Sequence, residues 1–375
     1  MEVIGTVAAF IGILVVLVLV HELGHFVVAK RAGITVEEFG IGFPPRIGSV
    51  TWHGTRYSLN WIPLGGFVRM LGEDGNVELK RLQEQGLTDA EIEHAMEGAF
   101  NRRPVWIRIA VLLAGVAMNF LLAAAVFAVA FSMPRLVAQG PLTVTDVQAG
   151  SPASGRLEID DVIVGVDGMT FELSRELTEY VAEHGGTPVT LNVERDGEPI
   201  DVRVTPRTVT LEDRERGIGP VGFSYEPARL VEERPLASGP LDAAWRGTAA
   251  AAVLAVQIPG GLADAVGGLI GLNPDAGDAR GPIGIAQETG RILEAPLVTQ
   301  LLFVGLLSVN LAVLNVLPFP PLDGGRILVV LLEGLRRRKL PAEREALIYL
   351  AGFAVLIALV ILISIQDIQR LITGG

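Results

Sequence analysis

The sequence predicts a polytopic α-helical membrane protein with about four transmembrane helices, a membrane-associated β-hairpin region on the cytoplasmic side and one extracytoplasmic α+β domain. Hydrophobic residues make up half of the 375 positions and charged residues only 19%, compared with about 25% in average soluble domains. The apolar residues are concentrated in uncharged runs that are long enough to cross a bilayer. Lys and Arg cluster beside these runs, as is typical of the cytoplasmic ends of transmembrane helices.

The composition also excludes several functions. The formal net charge is −12, and since nucleic-acid phosphates are bound by basic surfaces, we expect no nucleic-acid partner. The chain contains no cysteine, which excludes disulfides, cysteine-bound metals and thiol nucleophiles. A metal site would therefore have to be built from carboxylates and from the five histidines.

Four segments are predicted to cross the membrane, because about 18 to 20 apolar residues suffice for a helix to span the hydrocarbon core. We expect the first segment to be a retained helix and not a signal peptide, since it begins with Glu2 instead of basic residues. The four segments comprise residues 1–30, 105–133, 297–323 and 346–366.

The basic residues beside these segments predict the orientation of the chain. If all basic clusters are cytoplasmic, both termini are extracytoplasmic. The loop of residues 31–104 is then cytoplasmic, and the region between the second and third helices lies outside. The clusters follow the first helix, precede the second and separate the third from the fourth: Lys30-Arg31, then Arg102, Arg103 and Arg108, then Arg336-Arg337-Arg338-Lys339.

A weaker apolar stretch, residues 249–272, is broken by Pro259 and carries Asp264. A fifth span at this position would place the cluster at Arg336 on the wrong side of the membrane. We therefore assign residues 207–296 to a linker and an amphipathic membrane-surface region. Whether the stretch lies on the membrane or enters it stays open.

Three ionisable residues stand at the end of the first apolar run. His21 and His25 are four residues apart, so both imidazoles lie on one face of a helix, about 6 Å apart. With Glu22 they form the H-E-x-x-H pattern, in which two histidines bind zinc and the carboxylate takes a proton from the attacking water. Since ionisable groups are costly to bury in a membrane, a bound metal would compensate them. The alternative is three interfacial side chains that reach back to water.

A catalytic zinc ion usually has a third protein ligand, and Asp323 is the best candidate. It follows Pro318, Pro320 and Pro321, which break the third helix. Irregular backbone at membrane depth is tolerated where it lines a cavity or is buried in protein. The alternative is an Asp-Gly turn at the membrane exit. The three remaining histidines are expected to be ordinary surface residues: His53, His94 and His184.

Several short motifs, taken together and in this order, identify a family: His21-Glu22-Leu23-Gly24-His25, Phe39–Pro45, Pro63–Val68, Gly281-Pro282-Ile283-Gly284 and Asn315…Leu322-Asp323-Gly324. They resemble the site-2 protease family of intramembrane zinc metalloproteases, and within it the bacterial branch of regulator-of-sigma-E proteases. The resemblance covers nearly the whole chain. One departure is Val116, which stands where the family usually has proline.

The resemblance implies an enzyme and a mechanism. His21, His25 and Asp323 would bind Zn²⁺, and Glu22 would act as the general base. The implied substrates are transmembrane segments of single-pass membrane proteins that another protease has already cleaved outside the membrane, such as anti-sigma factors, or remnants of signal peptides. The enzyme is expected in the bacterial plasma (inner) membrane as a multi-pass protein, with its active site near the cytoplasmic side.

The cytoplasmic loop contains a predicted β-hairpin formed by residues 47–52 and 56–61. It is either a small packed sheet or, as the resemblance favours, a membrane-associated β-loop whose edge pairs with the substrate. Pairing of this kind would unwind a substrate helix, whose carbonyls are otherwise hydrogen-bonded. We assign Asn315 and Asn310 of the third helix to substrate binding as well, the alternative being hydrogen bonds between helices.

Residues 141–206 alternate and turn like a small domain, with strands at 143–148, 188–194 and 200–205 and a helix at 173–183. This pattern resembles a PDZ domain, a fold that binds peptides by adding them to a sheet edge. The alternative is a passive steric cover.

Two functions other than proteolysis compete with this interpretation. A non-catalytic zinc-bearing membrane scaffold, recruiting partners through the PDZ-like domain, would be favoured by a damaged H-E-x-x-H motif, and here the motif is intact. Zinc transport would require ionisable residues at the middle of several apolar runs, and the sequence lacks them.

Overall fold

The computed structural model describes residues 2–73, 82–84, 88–208, 219–233, 235–269, 281–338 and 340–373. The chain divides into two compact units. The first, which we call the helical unit, comprises Met1–Ser132, Ala237–Ala263 and Ala279–Gly375. The second, which we call the β unit, comprises Met133–Leu236 and Asp264–Asp278.

The helices, in chain order, are α1 (Glu2–Arg31), α2 (Asp89–Ala95), α3 (Val105–Phe131), α4 (Ser174–Glu183), α5 (Pro240–Leu269), α6 (Pro282–Leu293), α7 (Leu297–Val316), α8 (Asp323–Arg336) and α9 (Ala342–Thr373). The strands are β1 (Val36–Trp52), β2 (Thr55–Met70), β3 (Arg135–Val147), β4 (Val162–Val166), β5 (Met169–Thr170), β6 (Val189–Arg195), β7 (Glu198–Val204) and β8 (Phe223–Glu233).

Four helices of the described chain are long and apolar enough to cross a membrane, as the sequence predicts. Their mean hydropathy lies between 2.2 and 3.0. Most of their side chains are not covered by protein, which suits helices that face lipid. The four spans are Ile4–Arg31, Val105–Phe131, Leu297–Val316 and Glu343–Gln369. The third is shorter than predicted, because α7 ends before the prolines and a separate helix, α8, begins at Asp323.

Helix α3 packs against both α1 and α7. A Cβ atom on Gly24 of α1 would overlap the carbonyl oxygen of Ala114 in α3. A Cβ atom on Gly305 of α7 would likewise overlap the ring of Phe127. These glycines let the helices approach more closely than larger residues would permit, which is a common device between membrane helices.

Helix α5 contains most of the stretch that we assign to the membrane surface. It is not among the candidate spans of the described chain. Its residue Gly247 lies against the backbone of Ala124 in α3, and Ala251 is fully buried in a cluster with Phe127 and Val309. Over these residues α5 therefore packs beside two of the spanning helices, while its depth in the membrane stays a prediction.

Strands β1 and β2 form a two-stranded sheet. The outer arm runs from Trp52↔Thr55 to Arg46↔Asn60, as the predicted hairpin requires, and an inner arm runs from Val36↔Met70 to Phe43↔Ile62. Both strands are longer than the sequence predicts because they bend and continue into this inner arm. Residues 66–70 pair with β1 on one side. No strand of the described chain pairs with their other side.

The sheet of β1 and β2 has one apolar and one charged face. Trp52, Leu59 and Trp61 are 63%, 50% and 66% exposed, and aromatic side chains of this kind favour membrane–water interfaces. On the charged face Glu38 is buried, and its carboxylate lies within 4 Å of three guanidinium groups, those of Arg46, Arg56 and Arg69. A sheet with two such faces suits the boundary between lipid and water.

The β unit contains a sheet with strand order β7-β6-β4-β3-β8, and β5 pairs with β4. The predicted helix and the three predicted strands all occur, with bounds within a few residues of those expected except that β3 begins earlier, at Arg135. Strand β8 lies beyond the predicted boundary at residue 206 and pairs with β3 from Arg135↔Glu233 to Val147↔Phe223. The compact unit is therefore larger than residues 141–206.

An ion pair with a buried carboxylate stabilises the β unit. Arg195 donates hydrogen bonds of 2.7 Å from Nε and from Nη2 to the carboxylate of Asp161, and the backbone N–H of Glu158 donates a third of 2.8 Å. Burial by itself would raise the pKa of Asp161, but these hydrogen bonds and the positive charge of Arg195 outweigh burial and hold that pKa below its ordinary value. The pair fixes the turn before β4 to strand β6.

Candidate active site

Three side chains of the helical unit converge at one point. Nε2 of His21 lies 3.1 Å from Nε2 of His25, as expected for residues one turn apart on α1. Oδ2 of Asp323 lies 2.9 Å from the first nitrogen and 3.2 Å from the second. Both histidines are 6% exposed. The structure therefore brings together the three residues that the sequence singles out as metal ligands.

The backbone around Asp323 explains how a residue so distant in sequence reaches α1. The segment between α7 and α8 turns at its prolines, and α8 begins at Asp323. A Cβ atom on Gly324 would overlap the carbonyl oxygens of Val316 and Leu317, and one on Gly325 would lie 2.7 Å from that of Phe319. The two glycines thus let the first turn of α8 lie directly on the end of α7, with Asp323 held in place.

The donor set fits a zinc ion. Nδ1 of His25 donates a 2.8 Å hydrogen bond to the carbonyl oxygen of Val111, which leaves a lone pair on Nε2. Oδ2 of Asp323 is buried, and no donor in the described chain satisfies it by hydrogen-bond geometry. Converging lone pairs repel unless a cation lies among them. Ligand atoms of a tetrahedral zinc site with bonds of about 2.1 Å are about 3.4 Å apart, close to the observed spacing.

Helix α3 shapes the space beside the histidines. A Cβ atom on Gly115 would overlap Nε2 of His25 and lie 2.7 Å from Cε1 of His21. Any larger residue at this position would push into the rings. The sequence contains Gly115 without indicating this role, because the signal is the lack of a side chain.

Glu22 lies between the two histidines in sequence and is partly buried. The bend of β2 lies beside it: a Cβ atom on Gly66 would be 3.7 Å from Cγ of Glu22 and 3.3 Å from Cδ2 of Leu19. Residues 66–70 have one edge with no strand partner in the described chain. A free strand edge therefore runs close to the candidate general base.

Asn310 and Asn315 are both on α7 and are partly exposed. Neither forms a side-chain hydrogen bond within the part of the chain that the structure describes, so the alternative of interhelical hydrogen bonds finds no support there. Asn315 is one residue from the end of α7 and thus close in sequence to the segment that leads to Asp323. Their role in substrate binding stays a prediction.

The remaining histidines are separate from this cluster. His53 is exposed in the turn between β1 and β2, and His94 is exposed on α2. His184 belongs to the β unit, where its Nδ1 lies 2.8 Å from the carbonyl oxygen of Tyr180. Within the described chain, no other group of at least three His, Asp or Glu residues has metal-binding geometry.

An ion pair that the sequence does not reveal lies next to the site. Arg326, on the first turn of α8, pairs with Glu73, which follows β2. Glu73 also accepts a hydrogen bond of 3.0 Å from the backbone N–H of Met70. The pair connects the helix that carries Asp323 to the strand beside Glu22. No pattern in the sequence links two charged residues that are so far apart.

Apolar spans around a His-Glu-x-x-His motif and a converging carboxylate define the class of membrane-embedded metalloproteases. The sequence matches peptidase family M50 over residues 9–359. It is 30% identical to the zinc metalloprotease RasP of Geobacillus kaustophilus, over 98% of this chain and 99% of that protein. It is 29% identical to the regulator of sigma-W protease RasP of Bacillus subtilis, with the same coverage. A putative zinc metalloprotease of Clostridium perfringens is 35% identical over 94% of this chain and 95% of its own length.

The chain therefore belongs to peptidase family M50, the site-2 protease family. It is a multi-pass membrane protein and a zinc metalloprotease, and its cofactor is Zn²⁺. The resemblance inferred from the motifs is confirmed. The two competing functions, a non-catalytic zinc-bearing scaffold and zinc transport, are disfavoured.

The chain is also similar, over part of its length, to solved PDZ domains. The PDZ domain of an SdrC-like protein of Listeria innocua covers 24% of this chain and 97% of its own length, at 22% identity and a TM-score of 0.21. The corresponding domain of Listeria monocytogenes gives 21% identity and a TM-score of 0.20. Scores this low do not establish the fold, so the PDZ-like character of residues 141–206 stays a prediction.

Proposed function

We propose that this protease cuts transmembrane segments of single-pass membrane proteins inside the bilayer, at a zinc ion held by His21, His25 and Asp323. The observation that carries the proposal is the convergence of three buried ligand atoms within 4.8 Å of one another, between a spanning helix and the first residue of α8. Sites built within spanning helices act on what enters the membrane. The proposed location is the bacterial plasma membrane, with both termini extracytoplasmic and the site near the cytoplasmic side.

In the proposed mechanism Glu22 handles the protons. Zinc, when bound, supplies Lewis acidity, which polarises a carbonyl and makes a water easier to deprotonate. The carboxylate of Glu22 takes a proton from the water that attacks the scissile carbonyl carbon. It then gives the proton to the nitrogen of the leaving amine as the C–N bond breaks. Val111 and Gly115 keep the rings of the histidines oriented while this occurs.

The substrate must be unwound before it is cut, because helix hydrogen bonds occupy its carbonyl oxygens. The unpaired edge of residues 66–70 supports a role in this step, since a substrate strand can add to such an edge. That edge runs beside Glu22 at Gly66. The amide of Asn315, which has no hydrogen-bond partner in the described chain, would hold the substrate backbone near the zinc ion. Asn310, five residues earlier on α7, would assist.

Cleavage in lipid vesicles tests the proposed function. Purified protein should cut a single-pass segment at a bond inside its apolar sequence, which mass spectrometry of the products locates. A zinc chelator should abolish the reaction, and added Zn²⁺ should restore it. A control segment made of Leu repeats should resist cleavage, because it unwinds with difficulty. Cleavage that survives complete zinc removal, or that falls only outside the apolar sequence, would contradict the proposal.

We propose that the β unit lies on the extracytoplasmic side, restricts the access of substrates to the active site and performs no chemistry itself. This part of the described chain has no group of ligands suited to a metal. A substrate with a bulky folded outer domain would collide with it, whereas a substrate already shortened outside would pass. The alternative is a required docking site that binds the substrate through its sheet edge.

Removal of the outer domain distinguishes these alternatives. Residues 135–235 can be replaced by a short Gly/Ser linker, because the two ends that it must join lie close together. The N–H of Ala237 donates a 2.9 Å hydrogen bond to the carbonyl oxygen of Phe131. We expect the shortened enzyme to cut trimmed substrates at nearly the normal rate and to begin cutting untrimmed ones. Both substrate forms are compared in membranes at matched enzyme levels. If trimmed substrates are no longer cut by a zinc-loaded, folded enzyme, the domain is a docking site.

A further inference from the structure

The polar side chain of Asn119 is buried inside the membrane-spanning helix α3 and has no obvious purpose there. It is 0% exposed. Its Nδ2 lies 3.4 Å from Nδ1 of His21. Its Oδ1 is buried and has no hydrogen-bond partner in the described chain. Leaving a polar atom without a partner in an apolar interior costs free energy, so a function should account for it.

Each of the two histidines of the cluster needs a hydrogen-bond acceptor for its second ring nitrogen. A histidine that binds a metal through Nε2 carries its proton on Nδ1, and that proton requires an acceptor. His25 has one, the carbonyl oxygen of Val111 at 2.8 Å. For Nδ1 of His21, the neighbour at hydrogen-bond distance in the described chain is the amide of Asn119, at 3.4 Å. With Nδ2 turned toward Nδ1–H, two donors would meet and Oδ1 would stay unpaired.

A half-turn of the Asn119 amide removes the contact between two donors and gives Oδ1 a partner. Oxygen and nitrogen of this group have nearly the same shape, so the exchange leaves the packing unchanged. Oδ1 then accepts a hydrogen bond from Nδ1–H of His21 and is no longer unpaired. The backbone oxygen of Asn119 is held independently, since it accepts a 2.8 Å hydrogen bond from the hydroxyl of Ser308.

We propose that Asn119 is a positioning residue that holds His21 with its proton on Nδ1 and its Nε2 free for zinc, an inference that rests on the proposed zinc site. Val111, Gly115 and Asn119 follow one another at intervals of four residues and thus share one face of α3. This face provides an acceptor for each histidine and, between them, room for both rings. In the opposite orientation Nδ2 would donate to Nδ1, which would move the proton to Nε2 and remove that nitrogen from the metal.

Zinc affinity of variants tests the proposal, measured on the full-length protein in detergent by competition with a chromophoric chelator. Asn119→Leu keeps the volume and removes the acceptor, so zinc should bind about 10 to 100 times more weakly, as for other residues that orient ligands. Asn119→Asp can only accept, and it should bind zinc at least as tightly as the unaltered protein. Ser308→Ala, which alters the same helix contact without facing His21, should leave the affinity unchanged.

The outcomes separate this proposal from the proposed function. If Asn119→Leu retains full zinc affinity, or if the Leu and Asp variants lose it equally, Asn119 acts by packing alone and the proposal is overturned. Should the Leu variant fail to fold, nitrogen NMR of the zinc-loaded, unaltered protein still decides: His21 bound through Nδ1 overturns the proposal, and a proton on Nδ1 supports it. Failure of His21→Ala to weaken zinc binding would instead overturn the proposed zinc site itself.

Discussion

Replacing Glu22 by glutamine should lower the rate of substrate cleavage by at least two orders of magnitude while zinc stays bound. The amide has the size of the carboxylate and cannot accept the proton of the attacking water, and a positioned general base typically contributes a factor of about 10² to 10⁴. The rate is measured in a single turnover with enzyme in excess, and the zinc content is measured by mass spectrometry of the metal.

Glu97→Gln provides the matched control for this variant, because it makes the same chemical change on a carboxylate that is 79% exposed. It should cleave normally. Normal cleavage by the Glu22 variant would refute the assigned mechanism. Loss of zinc together with activity would indicate that Glu22 helps to hold the metal and would leave its role as a base without support.

Replacing Asp323 by alanine should bring the zinc content well below one ion per chain and abolish cleavage. Two imidazoles alone form an incomplete site, and a third protein ligand is normally needed to retain the metal. The fold should survive, since the lost attraction between a carboxylate and the start of α8 is worth only about 0.3 to 1 kcal/mol. Helix content by circular dichroism checks this point.

Asp323→Asn extends the same test, because it keeps the shape and removes the charge. We expect it to bind zinc more weakly than the unaltered protein does. A variant that is inactive but fully loaded with zinc would show that Asp323 orients another group and is not itself a ligand.

The spanning helices could be predicted from the sequence because the thickness of the bilayer sets their length. The pairing of His21 with His25 could be predicted as well, since helix geometry fixes the distance between residues four apart. The contact with Asp323 could not be derived from local rules. The sequence indicates Asp323 through the prolines that break the third apolar run just before it, and through the order of the motifs.

The contributions of α3 could not be predicted. Val111 acts through its carbonyl oxygen, a group that every residue has, so its side chain carries no signal. Asn119 stands out as a polar residue in an apolar run, but several partners were possible for it. Strand β8 was missed for another reason: its pairing with β3 joins residues that are 76 (Val147 and Phe223) to 98 (Arg135 and Glu233) positions apart, and alternation alone does not specify such a partner.

The position of the three proposed ligands in the chain has a consequence for biosynthesis. His21 and Asp323 lie 302 positions apart, so the two histidines enter the membrane long before the carboxylate has been translated. A nascent or prematurely terminated chain would carry an incomplete metal site and would be inert. With these proposed ligands, the protease would be unable to attack its neighbours in the membrane until Asp323 has been synthesised and inserted.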